Sequence, residues 1–349
     1  MPPLSLVTGA CGFVGTHMIE VLHEAGHRIR ATDLPSAYEK DDFPRGRFPS
    51  ILKSLKIEFV PADLTEAGSI RPALEGVEQI FHIAGIFSYS APWDLLYRVN
   101  VVGTRNLLAQ ISGIKSLKKL VVWGAGGIYR LPEGPADLPL KEGSPIEPVS
   151  NYLKTKWEEE ETVARSCQEQ GIAWSSVRPT TVYGPRAVYG GGQMFLDAIR
   201  MKKVLVPRNF TYKIPTVHVR DVCRAALFLA EHPETNGEAF NLNDDSETPT
   251  IEFFRMIAEE SGHPFRPLPP FPLGLFKLNL NLIATLGRWR QRIFGGRPPK
   301  FEKDSLRYFG CDFVYSNEKL KKAGFQFQYP DFRVGLKETV AWYKAAGWV

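Results

Sequence analysis

The run Thr8-Gly9-Ala10-Cys11-Gly12-Phe13-Val14-Gly15 constrains the fold of this chain more than any other stretch. It follows the apolar segment Leu4-Ser5-Leu6-Val7 and opens a helical pattern from Phe13 to Ala25, so its glycines fall where a strand turns into a helix. Gly9 suits the tight turn, Gly12 admits a pyrophosphate against bare backbone, and Gly15 lets the helix lie close on the sheet. The anion would then sit at the helix N-terminus. The expectation is a dinucleotide site at Gly9, Cys11, Gly12, Phe13 and Val14.

Short apolar or β-branched runs alternate with helical patterns through the first half. Strands are expected at 4–8, 28–33, 57–60, 79–83, 119–123 and 173–177, and helices at 13–25, 94–111 and 152–170. This is an α/β pattern, a parallel sheet with helices on both faces. After Arg178 the alternation breaks. Gly190-Gly191-Gly192 reads as a loop and Met194–Arg200 as a helix, while a strand at Ile214–Val219, a helix at Asp221–Glu231 and a strand at Ala239–Leu242 rejoin the sheet. From about Pro249 the pattern gives short helices and the proline-rich segment Pro264–Pro272. Residues 1–185 with 214–243 are therefore expected to form the dinucleotide-binding domain, and 186–213 with 244–349 a smaller, mainly helical cap.

A chain of 349 residues that is 44% hydrophobic and 23% charged can bury a large core. Cys11, Cys167, Cys223 and Cys311 lack metal-type spacing and suggest neither disulfides nor zinc, so a reducing, cytoplasmic location is expected. The net charge of +5 is modest, and the basic residues are spread out except at Arg288, Arg290, Arg292, Arg297 and Lys300; nucleic acid is not an expected partner. The N-terminus runs straight into the glycine turn, so no signal peptide or export is expected. The most apolar stretch, Phe271 to Gly287, is interrupted by Lys277, Asn279 and Asn281, so no spanning helix of about 20 residues is expected.

Asp33 ends the second strand about 20 residues after the glycine turn, where a carboxylate accepts from an adenosine ribose and repels a 2′-phosphate. That favours NAD over NADP, although Arg28 and Arg30 stand close by. Asp63-Leu64 is placed either to meet the adenine or to cap the next helix. Tyr152 and Lys156 lie one turn apart on a single helix. A free phenol titrates near ~10, and a neighbouring ammonium stabilises its anion, so the pair can exchange a proton with a substrate hydroxyl.

With those motifs in place, the chain resembles the short-chain dehydrogenase/reductase superfamily, its extended branch in particular. The resemblance rests on the glycine turn, His82-Ile83-Ala84-Gly85, Asn100-Val101-x-Gly103-Thr104, Tyr152-x-x-x-Lys156 and Arg178-Pro179-Thr180-Thr181-Val182-Tyr183-Gly184-Pro185. It implies a Rossmann-type doubly wound sheet, with Tyr152 and Lys156 catalytic and Lys156 also on the cofactor ribose. It further implies that Ala84 and Gly85 line the cofactor, that Asn100 stands behind the catalytic pair, and that Pro179, Thr180 and Val182 pass the nicotinamide. Leu96-Tyr97-Arg98-Val99-Asn100, Val217-His218-Val219-Arg220-Asp221-Val222 and the C-terminal Lys321-Lys322-Ala323-Gly324-Phe325 look most like the 3β-hydroxysteroid dehydrogenase and sterol-4α-carboxylate 3-dehydrogenase branch. Similar patterns occur in 2-alkyl-3-oxoalkanoate reductases and dihydroflavonol-type reductases, and two-fold dimers are usual among such proteins.

One position departs from that family. Its customary Ser or Thr near the end of the fifth strand falls on Ala125, and Val121 to Ile128 carries no hydroxyl. Losing one preorganised donor costs on the order of 10²–10³ in turnover. The role then passes to Thr180, Thr181 or water, or the enzyme is slow, or the chain is a non-catalytic dinucleotide-binding sensor. Phe87, Tyr89, Trp93, Tyr189, Phe195 and the apolar segment 272–286 are expected to join Ala125 and Tyr152 around a small hydrophobic substrate. Helix 271–294 reads as a lid over that pocket or as a peripheral membrane contact. His218 reads as structural, and Glu158–Glu161 as a solvated helix face.

Overall fold

A computed structural model describes residues 2–188, 191–294 and 310–349. Its centre is a seven-stranded, wholly parallel sheet. The strands are β1 (Leu4–Thr8), β2 (Arg28–Thr32), β3 (Glu58–Phe59), β4 (Gln79–His82), β5 (Lys119–Trp123), β6 (Trp174–Pro179) and a last strand at Glu238–Leu242. From one edge they run Glu238–Leu242, β6, β5, β4, β1, β2, β3. The chain winds one way from β1 to β3 and the other way from β4 onward, so the winding reverses between β1 and β4. The C-terminal ends of those two strands form the crevice in which open α/β sheets hold ligands.

Alternate side chains of each strand feed opposite layers. Leu4 and Leu6 of β1, with Leu120 and Val122 of β5, pack under Leu107, Leu108 and Val163 from helices Gly103–Ile111 and Asn151–Gln170. Val7 and Val121 join the opposite layer, with Met18, Ile19, Val222 and Ala226 from helices Phe13–Glu24 and Val219–Glu231. These strands are buried on both faces, which is why they read as nearly continuous apolar runs.

Several expectations change in detail. The helix expected over 94–111 is two helices, Trp93–Leu96 and Gly103–Ile111, joined by a wider π turn at Tyr97–Val102. Of the two strands expected to rejoin the sheet, Glu238–Leu242 does so beside β6, but Thr216–His218 pairs in parallel with Thr181–Tyr183 as a separate ribbon. Of the glycines read as a loop, Gly191 and Gly192 begin a helix instead, Gly191–Arg200, and Gly190 lies outside the described residues. The C-terminal part includes a 22-residue helix, Leu273–Phe294, within the stretch 271–294 read as helical. Residues from both stretches assigned to the cap share one core, Phe195 with Phe253, Phe332 and Leu336, and Tyr183 reaches into it.

Candidate active site

The glycine turn is shaped by close approach. Gly9 takes a left-handed φ of 65°, and a methyl group there would sit 2.9 Å from Ala84 Cα. A methyl at Gly15 would collide with the Gly9 carbonyl oxygen. Gly12 is the N-cap of helix Phe13–Glu24 and provides no side-chain cap, leaving the helix end open toward a ligand. The Phe13 and Cys11 side chains are buried in the core, so these residues can offer a ligand only backbone. The Cys11 thiol is pushed up by burial and the Asp33 charge.

Asp33 latches this turn to the end of β2. Its carboxylate accepts from Cys11 N–H at 3.0 Å and Leu34 N–H at 2.8 Å. Burial raises its pKa, while the two backbone N–H groups and Arg47 work the other way. Arg47 escaped the sequence reading. It arrives because Phe48 N–H donates to Cys11 O at 2.8 Å and draws the loop onto the glycine turn, a pairing with no periodic signal. Asp63 is held at the next strand end, where its Oδ1 accepts from Thr65 N–H and hydroxyl, both at 2.8 Å; it closes a turn rather than capping a helix. Leu64 is tied down by Asn106 Nδ2, which donates to its carbonyl at 2.8 Å.

At the end of β4 a buried relay fixes the floor of the crevice. The Thr104 hydroxyl donates to Asn100 O at 2.7 Å and so accepts from His82 Nε2–H at 2.8 Å. His82 Nδ1 therefore accepts from the Thr8 hydroxyl at 2.9 Å, and Thr8 Oγ1 in turn accepts from the N–H groups of Ile83 and Ala84, each at 3.1 Å. Burial and the nearby Lys156 charge lower His82 to about 3, consistent with this neutral tautomer. The π turn lets Asn100 point inward, where Oδ1 accepts from Ile86 N–H at 2.8 Å and Nδ2 donates to Thr155 Oγ1 at 3.1 Å. A methyl group at Gly85 would stand 3.2 Å from Asn100 Oδ1 and 3.9 Å from Lys156 Nζ.

Ser150 starts the helix that carries the pair, its hydroxyl accepting from Leu153 N–H at 3.2 Å, and left-handed Gly171 ends it. Tyr152 and Lys156 are both buried on its inner face. The Tyr152 ring meets Phe87 at 4.8 Å and Tyr89 at 5.6 Å, both edge-on. Ala125 lies in the same cluster, beside Ile128 and Leu96. The Thr180 hydroxyl donates to Leu242 O at 3.2 Å, so its one proton is already used.

The glutamate run is the clearest correction. Glu161 is exposed and Glu158 half-buried, but Glu159 and Glu160 are buried. Lys156 Nζ donates to Glu159 Oε2 at 2.6 Å, and burial lifts the Glu159 carboxyl to about 7 with Lys156 opposing. Its other oxygen has no hydrogen-bond partner among the described residues and lies 3.9 Å from His82 Nε2. Glu160 pairs with Arg178, whose Nη1 reaches the Tyr129 hydroxyl at 2.8 Å. Burial opposes the Arg178 charge, but Glu160 and Tyr129 outweigh it and hold the guanidinium above its ordinary range.

Other expected site residues lie elsewhere. Phe195 is fully buried in the C-terminal core, stacked on Tyr183 at 5.4 Å, and cannot line a substrate cavity. Trp93 is 36% exposed and tilts against Tyr97. Val14 and Val182 are partly buried against the first core layer. Pro179 borders Gly126, where an added methyl would lie 3.0 Å from the Pro179 carbonyl oxygen. His218 is buried between Tyr183 and Tyr329, and its Nδ1 accepts from Arg220 N–H at 3.4 Å as a helix cap. Tyr189, Arg297 and Lys300 lie outside the described residues, as do the side chains of Arg288 and Arg292.

The residues present fit a dinucleotide: bare backbone at Gly9 and Gly12, an open helix end, a carboxylate on β2 and an ammonium beside Gly85. Over 99% of both chains the protein is 28% identical to sterol demethylase protein B of Methylococcus capsulatus. It is 27% identical to the Bos taurus sterol-4-alpha-carboxylate 3-dehydrogenase, decarboxylating, over 72% of this chain and 68% of that one. Dihydroflavonol 4-reductase of Hordeum vulgare is 28% identical over 66% and 68% of the two chains. The crystal structure of gox2253 superposes with a TM-score of 0.77 at 26% identity, covering 99% of each chain. Residues 5–243 match the NAD dependent epimerase/dehydratase family, and with the doubly wound sheet and glycine turn this makes the chain a member of that family, an extended short-chain dehydrogenase/reductase and an NAD(P)-dependent oxidoreductase.

Proposed function

We propose that this protein transfers hydride between NAD and a secondary alcohol or ketone of a bulky hydrophobic substrate, a 3β-hydroxysteroid or sterol. The observation that carries the reading is a convergence at one crevice. Gly9 lies against Ala84, Gly85 stands beside Lys156, and Tyr152 sits among aromatic rings one helical turn away. The likeness to sterol demethylase protein B and to sterol-4-alpha-carboxylate 3-dehydrogenase supports the sterol class.

The cofactor supplies the hydride acceptor or donor. Tyr152 takes the proton of the substrate hydroxyl in oxidation and returns it in reduction, with the Lys156 ammonium steadying the phenolate. Glu159 holds that ammonium from behind. With Ala125 lacking a hydroxyl and the Thr180 proton committed, Thr181 and water remain from the donors expected, and the Tyr89 phenol is the donor we favour for the substrate oxygen. Its ring stands against Tyr152 in the cluster that contains Ala125. Asp33 favours NAD by accepting from the ribose, and Phe87 with Tyr89 offers an apolar wall.

The test follows NADH absorbance with purified protein over a panel of 3β-hydroxysterols, 3-hydroxy fatty acids and dihydroflavonols, beside Tyr152→Phe. Turnover on sterols that falls by a factor of about 10²–10⁴ in the variant supports the reading. Undiminished turnover in Tyr152→Phe sinks the mechanism. A second reading, a reductase of dihydroflavonol-like ketones or long-chain 3-oxo acids, is motivated by the Hordeum vulgare relative and would show as preference for those substrates. Tight NAD binding without turnover on any of them would assign the chain to the non-catalytic class that Ala125 suggests.

A further inference from the structure

Helix Leu273–Phe294 carries two apolar faces. One packs on the body, where Leu280 and Ala284 are buried and the Phe276 ring meets Phe210 at 5.0 Å, beside Val204, Val206 and Ala258. The other is uncovered. Leu275, Leu278, Leu282, Leu286, Trp289 and Ile293 are each more than half exposed, at 52%, 64%, 57%, 55%, 62% and 51%. Steps of three and four residues place them in a single stripe, about 27 Å long at the helical rise. Single exposed leucines are ordinary on a protein surface, but a continuous stripe of this length marks a contact surface.

Charge selects the occupant. The helix contains Lys277, Arg288, Arg290 and Arg292, and the sequence has no Asp or Glu from Gly262 to Phe301. A second copy docked on the stripe about a two-fold axis would bring together two helices that carry only basic charge, with no carboxylate on either to neutralise Arg290 at the border of the stripe. A lid would turn the stripe toward the body, yet the body-facing side is the one bearing Phe276, Leu280 and Ala284. A surface that presents phosphates above hydrocarbon meets both halves of the pattern. Apolar side chains with a tryptophan enter the headgroup boundary, and basic residues stay at the anionic heads.

We propose that helix Leu273–Phe294 rests on the surface of an anionic lipid bilayer with the stripe from Leu275 to Ile293 inserted at the headgroup boundary. The contact is peripheral, since no helix among the described residues is long and apolar enough to cross a membrane. It does not rest on the substrate assignment, because Gly9, Ala84, Gly85, Tyr152 and Lys156, which carry that reading, all lie on other elements.

Sedimentation of the full chain with vesicles tests it, using phosphatidylcholine alone and phosphatidylcholine mixed with phosphatidylglycerol at low and high salt. Wild type should pellet with the mixed vesicles and release in high salt. Leu278→Ser with Leu282→Ser should lower the partition roughly tenfold or more, and Arg290→Gln roughly fivefold. All three side chains are exposed, so circular dichroism and NAD binding should be unchanged in both variants. No pelleting, pelleting indifferent to lipid charge, or equal pelleting of the double-serine variant would overturn the proposal. A concentration-dependent dimer in lipid-free ultracentrifugation that this variant abolishes would overturn it too, by assigning the stripe to a second copy.

Discussion

Replacing Arg178 with Met would strip the Glu160 carboxylate of its cation beneath the crevice. Arg178 Nε donates to both Glu160 oxygens, at 3.1 and 3.2 Å, and Nη2 donates to Oε1 as well. What remains for Glu160 is the Ser176 hydroxyl at 2.6 Å. The two side chains are only 6% and 5% exposed, so water cannot replace the lost partner. Breaking such a buried pair from one side costs about 3–5 kcal/mol. Removing both charges together, as Arg178→Met with Glu160→Leu, exchanges the pair for apolar packing and should cost under about 2 kcal/mol. Urea unfolding followed by tryptophan fluorescence and circular dichroism, on wild type, both single variants and the double, gives the coupling energy directly. If the single costs add within about 0.5 kcal/mol, the charges are not coupled as described. A cost below about 1 kcal/mol for Arg178→Met alone would equally refute the reasoning.

Three further outcomes are expected. Burial lifts Glu159 to about 7 from an ordinary 4.5, so its contribution to stability is full below about 4.5 and is lost as pH rises through 7. Glu159→Gln should therefore lose less stability than wild type across that window, and parallel pH profiles would contradict the assignment. Asp33→Asn should raise the KM for NAD roughly tenfold or more and improve use of NADP, because Arg47 then faces a 2′-phosphate without an opposing charge; a cofactor preference that does not move would remove Asp33 from that role. Tyr89→Phe should lower kcat on the order of 10²-fold, and adding Ala125→Ser should recover part of it. Unchanged turnover in Tyr89→Phe would point to another donor.

Much of the fold was legible because its signals are local. A strand buried on both faces reads as an apolar run, a helix as a 3.6-residue period, and the turn between β1 and helix Phe13–Glu24 as glycines at fixed offsets. Gly9, Gly12, Asp33, Tyr152 and Lys156 could be singled out for the same reason, whereas Gly85 entered only through the family resemblance. The misreadings concern partners far along the chain. Glu158–Glu161 looks like one solvated face, yet helix Asn151–Gln170 turns Glu159 and Glu160 inward, toward Lys156 on their own helix and Arg178 on β6. Phe195 looked like a pocket aromatic until helix Gly191–Arg200 met helices Thr250–Ser261 and Phe332–Ala345 across a shared core. Arg47 carried no signal, since only the bond from Phe48 to Cys11 O brings its loop to the glycine turn.

By itself the sequence determined a doubly wound parallel sheet, a dinucleotide turn and a phenol with an ammonium one turn away, because each follows from spacing along the chain and short-range backbone geometry. It also determined that Ala125 brings no hydroxyl. Tertiary structure alone decided which charges are buried as pairs, that the Thr180 proton is spent on Leu242 O, and that the apolar stripe of helix Leu273–Phe294 faces outward. Those outcomes depend on which face of each element meets which neighbour, and desolvation there rests on contacts between residues far apart in the chain.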